Sequence, residues 1–291
     1  MILLTALLLE YFIGDPSNRW HPVAWFGRWA SWCESFLYGN SRQAGVVTWL
    51  LVVIGSFVLL CLGHVLFGWL FDVLILWLSI GWKSLFEHVK AVLDAKTVKE
   101  ACELLALIVS RDVKTMTGEE TRRSAVESLA ENASDAVIAP LFWFVVLGPL
   151  GAALYRIINT LDAMWGYRNT RYEQFGWCAA KVDDVVNWLP ARITARLMLW
   201  VGESTDWQQV KEQAKTHDSP NAGWPEVALA YAADIRLGGS VLRDGKLDER
   251  PFYGAEDARD IDAIAASEAL SIVRNTLILT VFLAFGVSVV F

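Results

Sequence analysis

Residues 44–82 read AGVVTWLLVVIGSFVLLCLGHVLFGWLFDVLILWLSIGW and carry one formal charge, Asp72. Wound as a single α-helix they would be roughly 58 Å long, about twice a ~30 Å hydrocarbon core. They therefore predict two membrane spans, broken near Gly63-His64 or at Gly68. Working outward, residues 1–13 are apolar but short for a full span, and Gly14-Asp15-Pro16 closes them. Residues 137–157 are apolar again, interrupted by Pro140 and by Gly148-Pro149-Leu150-Gly151. That pattern predicts a broken or re-entrant helix, which membranes tolerate where it lines a cavity. Residues 189–202 contain Arg192 and Arg196 and make a weak span, and 275–291 form a last apolar helix. The stretches 83–136 and 203–274 read as polar helical loops. The lysines and arginines of 83–126 put that loop on the cytoplasmic side. Trp25, Trp29, Trp32 and Phe36 make one aromatic stripe, which suits an interfacial helix or a helix–helix contact. The expected fold is an all-α, multi-pass integral membrane protein, a single domain of four to five hydrophobic helical segments.

Composition agrees. The 291 residues are 55% hydrophobic, above the about 45–50% of a soluble domain, yet 20% charged, more than a bare bundle of spans would carry. The formal charge of −7 argues against a nucleic-acid partner, which needs a basic surface. Cys33, Cys61, Cys102 and Cys178 lie far apart, without zinc-ligand spacing or the look of a disulfide framework. The P-loop, GxSxG and HExxH patterns are absent from the sequence.

Three polar constellations stand beside the apolar segments. Glu127, Glu131 and Asp135 recur every fourth residue, within ~80° of one helix face, and Ser124, Ser128, Asn132 and Ser134 widen that face. Like charges at this spacing repel by ~0.2–0.5 kcal/mol per pair, and only Glu127 has a basic neighbour on the face, Arg123. A divalent cation with a taste for oxygen, such as Mg²⁺ bridging to phosphate, would relieve the repulsion; a solvated acidic face is the simpler alternative. The second constellation is Asn159 and Asp162, followed by Tyr167, Arg168, Asn169 and Arg171. Its arginines could fork onto phosphate or carboxylate, or could serve only to orient the chain in the membrane. The third is Asp183-Asp184, with Lys181 before and Asn187 after. Adjacent carboxylates diverge on a helix, so one at most shares a site with Asn187; a helix first turn is the plainer reading. Asp15, His21 and the run Ser219-Pro220-Asn221-Ala222-Gly223-Trp224-Pro225-Glu226 lie in loops.

Six blocks, taken in order, resemble the CobD/CbiB family of cobalamin-biosynthesis membrane proteins. They are Gly14-Asp15-Pro16 with His21-Pro22-Val23, Glu127 to Asp135 with Ala139-Pro140-Leu141-Phe142-Trp143, Asn159 to Asn169, Phe175 to Asp184, Asn187 to Arg192, and Ser219 to Glu226. The AmpE family, linked to β-lactamase induction, is similar in layout; Gly14-Asp15-Pro16 and the unbroken 159–169 block favour the cobalamin branch. The resemblance implies an enzyme of a bacterial cytoplasmic membrane, its site facing the cytoplasm. It would join adenosylcobyric acid to aminopropanol or its O-phosphate at the expense of ATP, with Mg²⁺, and could associate with other corrinoid-assembly membrane proteins. A carboxylate needs activation before an amine attacks it, which calls for metal ligands, cationic groups and a base. The positions so implied for catalysis are Glu127, Glu131, Asp135 and Asp162, with His21 as base. Those for Mg²⁺ are Glu127, Glu131, Asp135, Asp183 and Asp184. Those for substrate are Asp15, Asn132, Asn159, Tyr167, Arg168, Asn169, Arg171, Lys181, Asn187, Asn221 and Glu226. Rival readings are an AmpE-like sensor, a corrinoid-binding or transport protein without catalysis, and an isoprenoid-type transferase. The last usually shows two matching aspartate-rich repeats, which this chain lacks.

Overall fold

Helices begin where the sequence supplies a cap. In a computed structural model describing residues 1–16, 21–243 and 245–290, α1 (Ile2–Phe12) runs up to the Gly14 break. His21 caps α2 (Pro22–Leu37) by accepting the Val23 amide, with Pro22 at the first turn, where its missing N–H is harmless. Ser41 caps α3 (Arg42–Phe67), and α4 (Trp69–Ser79) follows after Gly68. Next come α5 (Trp82–Leu93) and α6 (Val98–Leu105), the latter capped by Thr97. A reciprocal box of Thr117 and Glu120 starts α7 (Gly118–Ala133). A π-helical turn over Ser134–Ile138 leads into α8 (Ala139–Trp165). The chain continues with α9 (Tyr172–Phe175), α10 (Trp177–Val186), α11 (Trp188–Val201), α12 (Trp207–Ala214) and α13 (Gly223–Ala233). Four short strands, β1 (Leu237–Gly238), β2 (Val241–Arg243), β3 (Lys246–Asp248) and β4 (Phe252–Tyr253), precede α14 (Ala263–Val290). Phe291, the last residue of the expected terminal segment, lies outside the described residues.

Among the described residues, Arg42–Phe67, Trp69–Leu93, Gly118–Trp165 and Ala263–Ser288 are helical stretches long and apolar enough to cross a membrane. Over the described residues the protein is all-α apart from two small ribbons and has the build of a multi-pass membrane protein. The chain divides into two compact units. The weak 189–202 segment is a 14-residue helix, α11, shorter than a span requires.

The first unit comprises Met1–Lys83, Ala139–Asn187 and Ala284–Phe291. Gly68 breaks the long apolar run with a non-helical backbone (φ 52°, ψ −130°), and α4 folds back along α3. His64 Nδ1 and Asp72 Oδ1 consequently lie 2.7 Å apart, where an unbroken helix would separate the two residues by about 12 Å. A second reversal occurs inside α8, where Gly148 (φ 71°, ψ −167°) precedes Pro149. Trp143 Nε1 donates to Val186 O at 3.2 Å, and Tyr155 Oη to Asn187 Oδ1 at 2.8 Å. A straight helix would put residues 143 and 155 about 18 Å apart, so the two arms of α8 converge on the end of α10. Trp49, Val52, Val53, Leu161, Trp165 and Phe175 are the heart of this unit's core. Glu34, buried on α2, accepts hydrogen bonds from Trp165 Nε1 (2.9 Å), Arg171 Nη2 (2.7 Å) and Tyr172 Oη (3.1 Å). It thereby fastens α2 to the polar segment that follows α8.

The second unit comprises Ser84–Ile138 and Trp188–Leu283. Its centre is α13, an alanine-rich helix buried over nearly its whole length and packed on α7, α11 and α12. The sequence hides this helix inside a polar stretch because 11 residues are too few for a span. β1 pairs antiparallel with β4, and β2 with β3.

Candidate active site

The sequence-predicted residues fall into two sets, one in each unit. In the second unit the set gathers on α7 and α13. Glu127 is buried and doubly held: its Oε2 accepts from Arg111 Nη1 at 2.6 Å and its Oε1 from the Gly238 amide at 2.7 Å. Gly238 reaches that position with φ +74°, and a Cβ there would strike Pro251 O at 2.5 Å, so glycine is required. Arg111 Nη1 also donates to Ser124 Oγ at 3.1 Å. Burial alone would lower the guanidinium's pKa, but Glu127, followed by Glu226 and Glu131, holds it above its ordinary value.

Glu226, on the first turn of α13, is buried, and burial raises its pKa well above the ordinary carboxylate range; Glu127 and Glu131 push it further. His217 Nε2 lies 3.7 Å from Glu226 Oε1. The imidazole's Nδ1 lies 2.9 Å from the Ser219 amide nitrogen and 3.3 Å from its carbonyl oxygen, which fixes the ring with Nε2 facing Glu226. Burial, then Arg250, lowers the pKa of His217. Both shifts disfavour an ion pair between the two groups. Tyr253 beside them is pushed up to about 12, by burial first and Glu226 second.

Glu131 and Asn132 are half-buried one turn on, and Asn132 Nδ2 donates back to Ser128 O at 2.9 Å. The π turn over Ser134–Ile138 shifts Asp135 off the line an unbroken α-helix would draw through Glu127 and Glu131. Asn221 Oδ1 accepts from Arg192 Nη1 at 3.1 Å. The Arg192 guanidinium lies 4.4 Å from the Trp188 ring centroid and 4.5 Å from that of Trp224, and Nη2 donates to Pro220 O at 3.2 Å. Lysine has neither the plane nor the fork for this place. Arg192→Lys should lower stability by about 1–2 kcal/mol, with faster proteolysis at residues 215–222; a melting temperature and digestion pattern like wild type would count against the clamp.

In the first unit, Asp183 is buried between two amides: Asn159 Nδ2 donates to Oδ1 at 3.3 Å and Asn187 Nδ2 to Oδ2 at 3.0 Å. Asp184 points away and meets Lys181 at 2.9 Å, the divergence expected of neighbours on a helix. His21 Nε2 stands 3.4 Å from Asp15 Oδ1 while Nδ1 caps α2, so both ring nitrogens have structural partners. Asn169 Oδ1 accepts the amides of Arg171 and Tyr172, each at 3.0 Å, and so starts α9. Arg171 bonds Glu34 and stacks 4.5 Å from the Tyr38 ring, contacts that tie its segment to α2. Asp162 is half-buried, and Tyr167 and Arg168 are exposed.

Among the described residues, no three His, Cys, Asp or Glu side chains group as metal ligands. Glu127 is held by Arg111 and Gly238, and Asp183 by two amides. Glu131 and Asp135, both half-buried, offer carboxylate oxygens of the type a hard cation takes. Mg²⁺ commonly takes one or two carboxylates and completes its shell with water and substrate phosphate. Arg111, His217 and Tyr253 carry no motif of their own; only His217, two residues ahead of Ser219, stands near one.

The family described as CobD/Cbib protein matches residues 3–273. The chain belongs to the CobD/CbiB family. Curated relatives called "Cobalamin biosynthesis protein CobD" include one from Stutzerimonas stutzeri, 43% identical over 88% of this chain and 89% of the relative. Another, from Chromobacterium violaceum, is 41% identical over 86% and 84%. A third, from Brucella anthropi, is 35% identical over 100% and 97%. No solved structure matches the chain. CobD/CbiB membership therefore covers both units, and the Glu127 to Asp135 and Ser219 to Glu226 blocks that resemble the family are those that build the buried acid cluster.

Proposed function

We propose that the chain catalyses ATP-dependent amide formation between the free propionate of adenosylcobyric acid and aminopropanol or its O-phosphate, giving adenosylcobinamide or its phosphate. The observation that carries the reading is the buried cluster of Arg111, Glu127, Glu226 and His217 in a CobD/CbiB chain. Phosphoryl transfer from ATP to the propionate gives an acyl phosphate and ADP. The amine then attacks the carbonyl carbon, phosphate leaves, and one proton must be removed from the nitrogen. In its ionised form Glu226 can take this proton, and its raised pKa suits the task; His217 Nε2 faces the carboxylate 3.7 Å away and orients it. Arg111 and Glu127 are fixed charges that shape the field around Glu226. Glu131 and Asp135 would hold Mg²⁺, which when bound screens the charge on the phosphates. The site faces the cytoplasm of a bacterial inner membrane, where ATP is available.

Purified protein in detergent, given adenosylcobyric acid, ATP, Mg²⁺ and either amine, should form the amide with one ADP per bond. Failure to form amide with both amines would leave a corrinoid-binding or sensor role in its place.

A further inference from the structure

We propose that the first unit holds a binding site for an anionic phospholipid of the surrounding bilayer, with Arg156 as the group that receives its phosphate. A cavity of about 440 Å³, within the range of ligand sites, opens between α2, α3, α4 and the second arm of α8. Its lining is apolar, with Trp25, Trp29, Leu60 and Phe71 prominent, and Arg156 is the one charged residue in it among the described residues. The Arg156 Nε is buried without a hydrogen-bond partner among the described residues. The three lining hydroxyls do not serve it. Ser56 Oγ donates to Val52 O, Ser79 Oγ to Ile75 O, and Thr160 Oγ1 to Arg156 O, each within its own helix. A guanidinium keeps its charge in any protein, so a dry, apolar setting leaves it in need of an anionic oxygen.

The mouth of the cavity identifies the source of that oxygen. Leu59 is 63% exposed and Trp25 47%, so the lining continues onto an outer surface rich in exposed apolar side chains. For a chain of this family that surface meets hydrocarbon, and a ligand entering through it comes from the bilayer. The cavity also reaches Pro22, on the first turn of α2, and Ser79, four residues before Lys83. Lys83 is the first charged residue of the chain after Asp72. A phosphodiester on Arg156 with an acyl chain against Trp29, Leu60 and Phe71 would satisfy the cation and fill the apolar space together.

The test uses full-length protein in phosphatidylcholine nanodiscs containing a photoactivatable phosphatidylglycerol or, separately, a photoactivatable phosphatidylcholine. Illumination should attach phosphatidylglycerol to peptides covering residues 22–29 and 153–160, at least about tenfold more than phosphatidylcholine, the discrimination expected of a charge-assisted bond. Arg156→Gln should abolish the preference and leave general lipid labelling unchanged. The wild-type preference needs no variant, so an unstable Arg156→Gln would not shelter the proposal. Equal labelling by the two lipids would show ordinary solvation by lipid and overturn it. Displacement of phosphatidylglycerol by oleate at equal mole fraction would also overturn it, by assigning the cavity to a fatty carboxylate.

Discussion

Glu127→Ala is expected to lower the stability of the folded protein by about 3–5 kcal/mol, the usual cost of leaving half of a buried ion pair without its partner. The loss has two parts. Arg111, itself largely buried, keeps its charge with Glu127 gone, and the Gly238 amide loses its acceptor. The change Glu127→Gln should cost less, because an amide oxygen can still accept from Gly238. A double variant, Arg111→Met with Glu127→Leu, should be less destabilised than the sum of its single changes, since removing both charges leaves neither one stranded. Melting temperatures in detergent read wild type, these variants and the two single changes. Additive losses, or a Glu127→Ala protein that melts with wild type, would show that the pair does not hold the second unit together.

Glu226→Gln preserves volume but removes the proton acceptor. With Glu226 as base, turnover should fall by about 10²–10⁴ while substrate KM changes little. The same variant carries a pH signature. The folded-state pKa of Glu226 is raised above its ordinary 4.5, so its contribution to stability is complete below that value and is lost as pH rises through the folded pKa. His217 runs the other way. Its lowered pKa gives stability above its ordinary 6.5, lost as pH falls through the folded value. The difference in melting temperature between wild type and Glu226→Gln cancels most of the histidine contribution. It should move in favour of wild type as pH is lowered from about 8 to 5. A flat difference would mean that Glu226 titrates like a solvent-exposed carboxylate, and the case for it as base would fall with it.

The apolar architecture was legible because its signals are physical limits. A run of 39 residues with one charge must cross twice, and Gly68 offers the cheapest place to reverse. Gly148-Pro149 likewise marks the bend in α8. The π turn after Ala133 has no such mark, because it depends on a shift in backbone hydrogen bonding that many sequences accept. The strand pairs escape because two or three residues are too few for an alternating pattern. At the candidate site, the positions of Glu127 and Glu226 came from blocks that resemble a family, yet their shared burial did not. Arg111 looked like one more basic residue of a cytoplasmic loop. Its pairing with Glu127, 16 residues on, is made by the path of the chain between α6 and α7, and no local spacing announces it.

The bend at Gly148 bears on how the protein is made. The first arm of α8, residues 139–147, is about 13 Å long as a helix, less than half the thickness of the hydrocarbon. Emerging from the ribosome, such an arm is too short to be retained by lipid on its own merit. α8 rests against α3 and α4, which are synthesised earlier. The expected order of biogenesis is therefore that the hairpin of α3 and α4 enters the bilayer first and serves as the dock on which α8 is stored. Truncated nascent chains ending just beyond residue 187 should integrate α8 when residues 1–83 are present, and should release it to carbonate extraction when they are replaced by an unrelated hairpin.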